Sequence, residues 1–214
     1  MKKNTLIIAI LAFFAFSQAE AQVTFKPGIR AGVNFSHFTK GDEAFSNQGY
    51  YDVNGNFIPT YTNDAYNSKT GFYVGFYGAL RLTKYYTLQP EITYSNQGSS
   101  YKGLSYDPNF NAPVQVERDL DVSYLSVAVV NKFTFNDKFN IHLGPTIDFI
   151  VDQNFDTDSD VDLAFILGAG YNITRNFGIE ARVKKGIIPV LDFSNSDHTN
   201  VVFSVGGTFT FDVK

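Results

Sequence analysis

The chain has 214 residues, 44% hydrophobic and 18% charged, with a formal net charge of -4, and 22 Phe and 13 Tyr make it rich in aromatic rings. So much ring surface with so little charge excludes a disordered chain, and the acidic balance excludes the basic footprint of a nucleic-acid binder. There is no Cys, which removes disulfide scaffolds, thiolate nucleophiles, Cys-based zinc sites and iron–sulfur clusters.

Residues 1–21 have the three parts of a secretory signal peptide. Lys2 and Lys3 form a basic start, Leu6 to Phe16 an apolar stretch, and Ala19-Glu20-Ala21 a small-residue cleavage site. Cleavage after Ala21 is expected, since the apolar stretch is too short for a helix crossing ~30 Å of hydrocarbon. The mature domain is then 22–214.

From there on, apolar residues recur with period two, the mark of strands with one apolar face. Eight such runs follow in order: about 25–38, 69–83, 85–99, 119–135, 138–152, 160–173, 177–190 and 200–213. In the second run Phe72, Val74, Phe76, Leu80 and Leu82 oppose Tyr73, Gly75, Tyr77, Ala79 and Arg81. In the fifth, Phe139, Ile141, Leu143, Pro145, Ile147 and Phe149 oppose Asn140, His142, Gly144, Thr146 and Asp148. Three connectors are short: Thr83-Lys84-Tyr85, Asn136-Asp137-Lys138 and Thr174-Arg175-Asn176. Four are longer: about 39–68, 100–118, 153–159 and 191–199. Strict alternation of short and long connectors is the pattern of an outer-membrane barrel, with short periplasmic turns and longer extracellular loops. Every run exceeds the ~9–11 residues a tilted strand needs to cross a bilayer. Lipid cannot satisfy an open sheet edge, so the strands must close. The expected fold is all-β: an eight-stranded antiparallel up-and-down transmembrane barrel. Tyr85, Tyr86, Phe133, Phe135, Phe139, Phe177, Phe209 and Phe211 all lie beside the short turns or the C-terminus, where an interfacial aromatic girdle belongs.

With the apolar faces on lipid, the opposite faces point inward. They carry Arg30, Asn34, Arg81, Gln89, Glu91, His142, Thr146, Asp148, Asn172, Glu180, Arg182 and Thr208. An eight-stranded barrel is just wide enough for side chains to fill, and buried charges must be paired. The expectation is a structural polar network of Arg30, Arg81, Glu91, His142, Asp148, Glu180 and Arg182, closing the lumen rather than forming a channel. Glu91, His142 and Asp148 also have the chemistry of an acid–base group or metal site, but no spacing motif joins them. Small inward residues such as Gly144, Gly168 and Gly206 are expected to make room for Arg and Tyr side chains.

Other motifs carry less. Asp156-Thr157-Asp158-Ser159-Asp160-Val161-Asp162 resembles the start of a calcium loop, yet its sixth position is Val161 rather than Gly and its twelfth Leu167 rather than Glu. It reads as a solvated acidic hairpin loop, with weak divalent binding left open. Gly168-Ala169-Gly170 lies inside a strand pattern with no following helix, unlike a dinucleotide fingerprint. No catalytic residue, cofactor or metal is expected. The 39–68 segment is the candidate binding surface. It sets Phe45, Tyr50, Tyr51, Phe57, Tyr61 and Tyr66 among Asn, Gly and Asp, a composition used by adaptable protein-binding loops.

With the strands placed, the chain resembles the PorT-type outer-membrane β-barrel family of Bacteroidetes. The matching stretches are YYTLQPEITYSNQGSSYKG, SYLSVAVVNKFTFNDKFNIHLGPTIDF and LAFILGAGYNITRNFGIEARVKKGI. Within them lie Gln89-Pro90-Glu91, Tyr124-Leu125 with Lys132, Gly144-Pro145, and Gly168 to Tyr171. Ala128 stands where the family often has Pro, and the chain ends Phe211-Asp212-Val213-Lys214 rather than on the aromatic that signals membrane insertion. The resemblance implies outer-membrane lipid and the barrel-assembly machinery as partners. It also admits an extracellular or secretion-system protein, since one member of the family is tied to type IX secretion. The reading is thus a non-enzymatic outer-membrane protein, structural or surface-binding, with a secretion accessory role as a variant. Two alternatives stand beside it: a secreted lipocalin-like barrel with an apolar lumen, and a small membrane-embedded hydrolase or acyltransferase.

Overall fold

The computed structural model describes residues 23–39, 49–51, 57–59, 65–107, 112–155, 157, 159–188, 191–193 and 196–212. The proposed signal peptide lies outside them. Twelve strands occur among the described residues: β1 (Thr24–Phe38), β2 (Gly49–Tyr51), β3 (Phe57–Pro59), β4 (Ala65–Arg81), β5 (Tyr86–Asp107), β6 (Ala112–Phe135), β7 (Phe139–Gln153), β8 (Val161–Asn172), β9 (Phe177–Gly186), β10 (Leu191–Phe193), β11 (Ser196–His198) and β12 (Asn200–Thr210). Eight close into one barrel in the order β1-β12-β9-β8-β7-β6-β5-β4, with β4 pairing back onto β1. Every pairing is antiparallel, and the short strands form two separate hairpins, β2-β3 and β10-β11.

The register fixes the barrel's shape. Asn34 pairs with Ser204, and partners continue through Arg182, Gly168, His142, Lys132, Thr87 and Arg81 to Thr24. One circuit therefore returns ten residues lower on β1. With ~3.3 Å rise and ~4.8 Å strand spacing, ten residues over eight strands give a tilt of about 40°, within the range that closed barrels adopt.

Three short turns join strands at one end, and each has its own chemistry. Asn136 and Asp137 both have positive φ (51° and 57°), and Lys138 N–H donates to Phe135 O. This is the mirror-image turn whose twist matches a hairpin and which favours Asn and Asp. The other two turns are built alike. Thr83 Oγ1 accepts from the N–H of Tyr85 and Tyr86, and Thr174 Oγ1 from the N–H of Asn176 and Phe177.

The strand boundaries depart from the periodicity at the other end. Much of the expected 100–118 loop is strand, because β5 and β6 stay in register up to Asp107↔Ala112. Backbone pairing needs no lipid-facing side, so a ribbon standing above the membrane loses the apolar alternation without ending. Likewise β4 begins at Ala65, inside the expected 39–68 loop. At β9 the difference runs the other way: it ends at Gly186, before Pro189, which has no N–H for a ladder.

Inside and outside alternate cleanly. Along β7, Asn140, His142, Gly144, Thr146 and Asp148 are buried while Phe139, Ile141, Leu143, Ile147 and Phe149 are exposed. The exposed apolar side chains form a continuous outer band that includes Phe76, Ile92, Val129, Leu167 and Val183. Water penalises such a surface and hydrocarbon does not. A lipocalin-like barrel needs the reverse distribution, with apolar residues inside, so that alternative does not fit.

Candidate functional site: the ion-paired lumen

Three strands bring four charges together at mid-barrel. Arg30 (β1) donates from Nε and Nη2 to Glu180 Oε1 on β9, at 2.9 and 2.6 Å, and from Nη1 to Glu91 Oε2 on β5, at 3.1 Å. Arg182 (β9) donates to both oxygens of Glu91 at 2.8 and 2.9 Å and to Glu180 Oε2 at 2.9 Å. The result is a closed ring of alternating sign in which every residue is at most 6% exposed. Gln89 Nε2 adds a donor to Glu91 at 2.8 Å. Tyr73 lays its ring 4.5 Å from the Arg30 guanidinium, and its hydroxyl reaches Glu180 at 3.4 Å. Charges this deep persist only when nearly every lone pair and N–H is matched, and bidentate Arg–carboxylate pairs achieve this.

Above this belt the packing changes character. Lys184 is ion-paired with Asp148, which also accepts from Thr146 Oγ1 at 2.8 Å, and the Lys184 ammonium lies 5.2 Å from the Tyr124 ring. Asn34 donates to Ser95 Oγ at 2.6 Å and accepts from Ser204 Oγ at 2.8 Å, while Asn200 donates to Gln97 Oε1 at 2.6 Å. A cavity of about 40 Å³ lies among Asn34, Ser95, Ser126, Thr146 and Ser204, room for roughly three waters. Higher still, Phe38, Val122 and Tyr124 are fully buried and pack with Leu120, Ile150 and Phe155, the Phe38 and Phe155 rings meeting edge to face at 5.9 Å. Among the described residues the interior is thus packed at two levels, a charged belt and an apolar cluster.

Five of the residues expected in the network sit together: Arg30, Glu91, His142, Glu180 and Arg182. His142 bonds Asn140 through Nε2, and its Nδ1 lies 3.8 Å from Glu180 Oε2. Asp148 is inside but one layer higher, with Lys184. Arg81 is a correction. It lies beyond the belt at the short-turn rim, exposed, and donates to the carbonyls of Thr83 and Lys84. Its parity on β4 is inward, but it sits at the strand's last residue, below the packed interior. Lys184 and Tyr73 were missed as network members, although each continues an inward parity already marked by Arg182 and Gly75. Among the described residues no group of three His, Asp or Glu has a metal-binding arrangement.

The inward glycines fit the rings. A Cβ on Gly206 would meet Ala31 O at 2.2 Å and Tyr73 Oη at 2.3 Å, and one on Gly168 would meet Arg182 Cγ at 2.6 Å. Gly206→Ala therefore pushes on backbone and on the ring that supports Arg30. It is expected to cost about 1–3 kcal/mol, as overpacking does, read as a lowered unfolding midpoint. An unchanged midpoint would show that the β1 backbone at Ala31 and the Tyr73 ring both give way freely.

The expected girdle residues ring the short-turn end. Tyr85, Phe133, Phe135, Phe139, Phe177, Phe209 and Phe211 are exposed, with ring contacts between Tyr86 and Phe133, Phe135 and Phe139, and Phe209 and Phe211. Asp212 ties the chain end down there. Lys26 and Asn176 both donate to its carboxylate, and they hold its carboxyl below the usual range.

At the long-loop end, Tyr50 and Tyr51 lie in β2 and Phe57 in β3, with Tyr51 opposite Phe57. Tyr66 is not a loop residue but part of β4, opposite Tyr101. Tyr61 lies outside the described residues, as do Asp156 and Asp158 of the acidic loop.

A closed antiparallel barrel with an apolar exterior, an aromatic girdle and a filled polar lumen defines an outer-membrane β-barrel. The family described as outer membrane protein beta-barrel domain matches residues 16–192, and the chain belongs to it. Among solved structures, Neisserial surface protein A is similar at 11% identity over 86% of this chain and 97% of that one, with a TM-score of 0.50. Ail of Yersinia pestis, solved with the heparin analogue sucrose octasulfate, is 16% identical over 87% of this chain and 99% of that one, with a TM-score of 0.46. OprG of Pseudomonas aeruginosa is 13% identical over 89% and 98%, with a TM-score of 0.45. Likeness at such identity concerns the fold. No curated protein matches the chain.

Proposed function

We propose that this is a non-enzymatic, non-conducting outer-membrane barrel that binds at the cell surface through its extracellular end. The observation that carries the reading is the contrast between the two parts of the molecule. The lumen is closed by the Arg30–Glu91–Arg182–Glu180 belt and the Phe38–Tyr124 cap, whereas β4, β5 and β6 continue past the barrel rim as an extracellular ribbon. The buried carboxylates and His142 face one another beneath the cap, which supports a structural rather than a catalytic role. The signal-peptide pattern of residues 1–21 supports export with cleavage after Ala21 and insertion by the barrel-assembly machinery. The QPE, GP and GAGY stretches support a place among the PorT-type proteins of Bacteroidetes, and a secretion accessory role rests on that resemblance alone. The aromatic segment 39–68, with Tyr50, Tyr51, Phe57, Tyr61 and Tyr66, belongs to the binding surface in this reading.

Two measurements test it. In planar bilayers the purified protein is expected to show no steady nanosiemens-scale conductance. On intact cells, replacing residues 40–64 with a short Gly-Ser turn is expected to abolish capture of a surface partner. The barrel of this variant keeps the heat-dependent mobility shift of an unboiled sample. A stable large pore overturns the non-conducting reading, and partner capture that survives the replacement removes the 39–68 segment from the binding surface.

A further inference from the structure

Among the described residues, the extracellular ribbon leaves the β7 side of upper β6 without a paired strand. β6 pairs with β5 along its whole upper length, from Asp107↔Ala112 down through Ser99↔Leu120. On its other side β7 begins only at Val122↔Gln153. Among the described residues no strand pairs with that side of β6 from Ala112 to Leu120.

The hydrogen bonds at the base of this edge show which groups face outward. Asp121 N–H donates to Asn154 Oδ1 at 2.8 Å, Asn154 Nδ2 donates to Asp119 O at 2.9 Å, and Asn154 N–H donates to Asp121 O at 3.2 Å. The Asn154 side chain thus stands in for the next strand's peptide group. In an antiparallel ladder the N–H and C=O of one residue point to the same neighbour, and alternate residues to opposite neighbours. The parity of Asp121 and Asp119 therefore carries Gln115 and Pro113 to the outward edge. Pro113 fits that assignment, because a proline is tolerated where the missing N–H would have pointed away from the sheet. It guards the tip, as edge strands usually are guarded, and leaves the Val114-Gln115-Val116 stretch below it as a strand-prone edge.

The edge is flanked by negative charge. Asp119 and Asp121 are 63% and 41% exposed while sharing Lys69, and Asp152 and Asp160 are exposed on the adjacent rim. Lys69 is ion-paired with two of these carboxylates, Asp119 and Asp121.

We propose that the outward edge of β6, centred on Gln115, accepts an extended cationic segment of a partner polypeptide as an added strand. The backbone of Gln115 supplies the donor and acceptor that register the segment, and the aspartates select lysine or arginine on it. Main-chain bonds give such strand addition its affinity and side chains its choice of sequence. The inference rests on the surface-binding reading and names the partner class for it.

The test uses the full mature protein in detergent micelles and a short peptide of alternating lysine and valine. Three companions are made: one N-methylated at alternate residues, one N-methylated throughout, and one with glutamate for lysine. The parent and the alternately methylated peptide, which keeps one bonding edge, are expected to bind. The fully methylated and glutamate peptides are expected to bind at least tenfold more weakly. Gln115→Pro is expected to weaken the parent peptide at least tenfold while keeping the heat-dependent mobility shift, since the N–H of Gln115 faces away from β5. In the unaltered protein, the parent peptide is expected to slow amide exchange at Gln115 at least tenfold, a readout independent of the variant's folding. Equal binding of the fully methylated peptide, no binding of the parent, or unchanged exchange at Gln115 overturns the proposal. If these fail while replacement of 40–64 still abolishes capture on cells, the edge proposal falls and the surface-binding reading stands.

Discussion

Arg182→Met is expected to lower the unfolding free energy by about 3–5 kcal/mol, the cost of removing one partner from a buried ion pair. Arg182 gives three of the six guanidinium–carboxylate bonds in the belt and is bidentate to Glu91. Without it, Arg30 is the one guanidinium left to donate to Glu91 and Glu180, and both carboxylates are at most 4% exposed. The chain has no Trp, so the folded fraction is best followed by the electrophoretic shift of unboiled samples across a denaturant series. Replacing Arg30, Glu91, Glu180 and Arg182 together with apolar residues of similar volume is expected to be far less damaging, because it leaves no uncompensated charge. Arg81→Gln, at the exposed rim, is expected to stay within ~0.5 kcal/mol. If Arg81→Gln and Arg182→Met cost the same, the belt is not the element that holds the lumen together.

The second large effect is expected on the outer wall. Leu167 is 62% exposed at the middle of the outward row Leu163, Phe165, Leu167, Ala169 and Tyr171 of β8. An arginine there faces hydrocarbon, so Leu167→Arg is expected to cost about 2–4 kcal/mol in lipid vesicles. Val151, 52% exposed near the extracellular end of β7, lies where a charged head reaches the interface, and Val151→Arg is expected to cost about 0–1 kcal/mol. A soluble barrel would show neither cost nor gradient. Equal tolerance at both positions would refute the bilayer position assigned to these strands.

The amount legible in the sequence differs between the barrel's parts. The eight membrane-crossing strands, their lipid faces and the three short turns were readable because lipid enforces a local rule: each outward position must be apolar, and the next points inward. Glu180 and Arg182 are two apart on one strand, so their shared inward direction followed from the same rule. That Arg30 and Glu91 meet them did not follow, since they lie on β1 and β5, and the ten-residue stagger decides which inward positions come level. Arg81 shows the limit of parity. Its direction was correct, but its height placed it on the rim. The ribbon of β5 and β6 looks like loop in the sequence because the alternation stops where lipid stops, while backbone pairing continues.

The sequence by itself determined an all-β chain with one face of each strand for lipid, short connectors at one end and long ones at the other, because each of these is a property of neighbouring residues. The tertiary structure alone decided that the inward charges close into a ring, that an apolar cluster packs above it, and that, among the described residues, β6 rises past the last residue paired on β7. Those outcomes depend on register and stagger around a closed sheet, which sum over all eight strands and are set by no single segment.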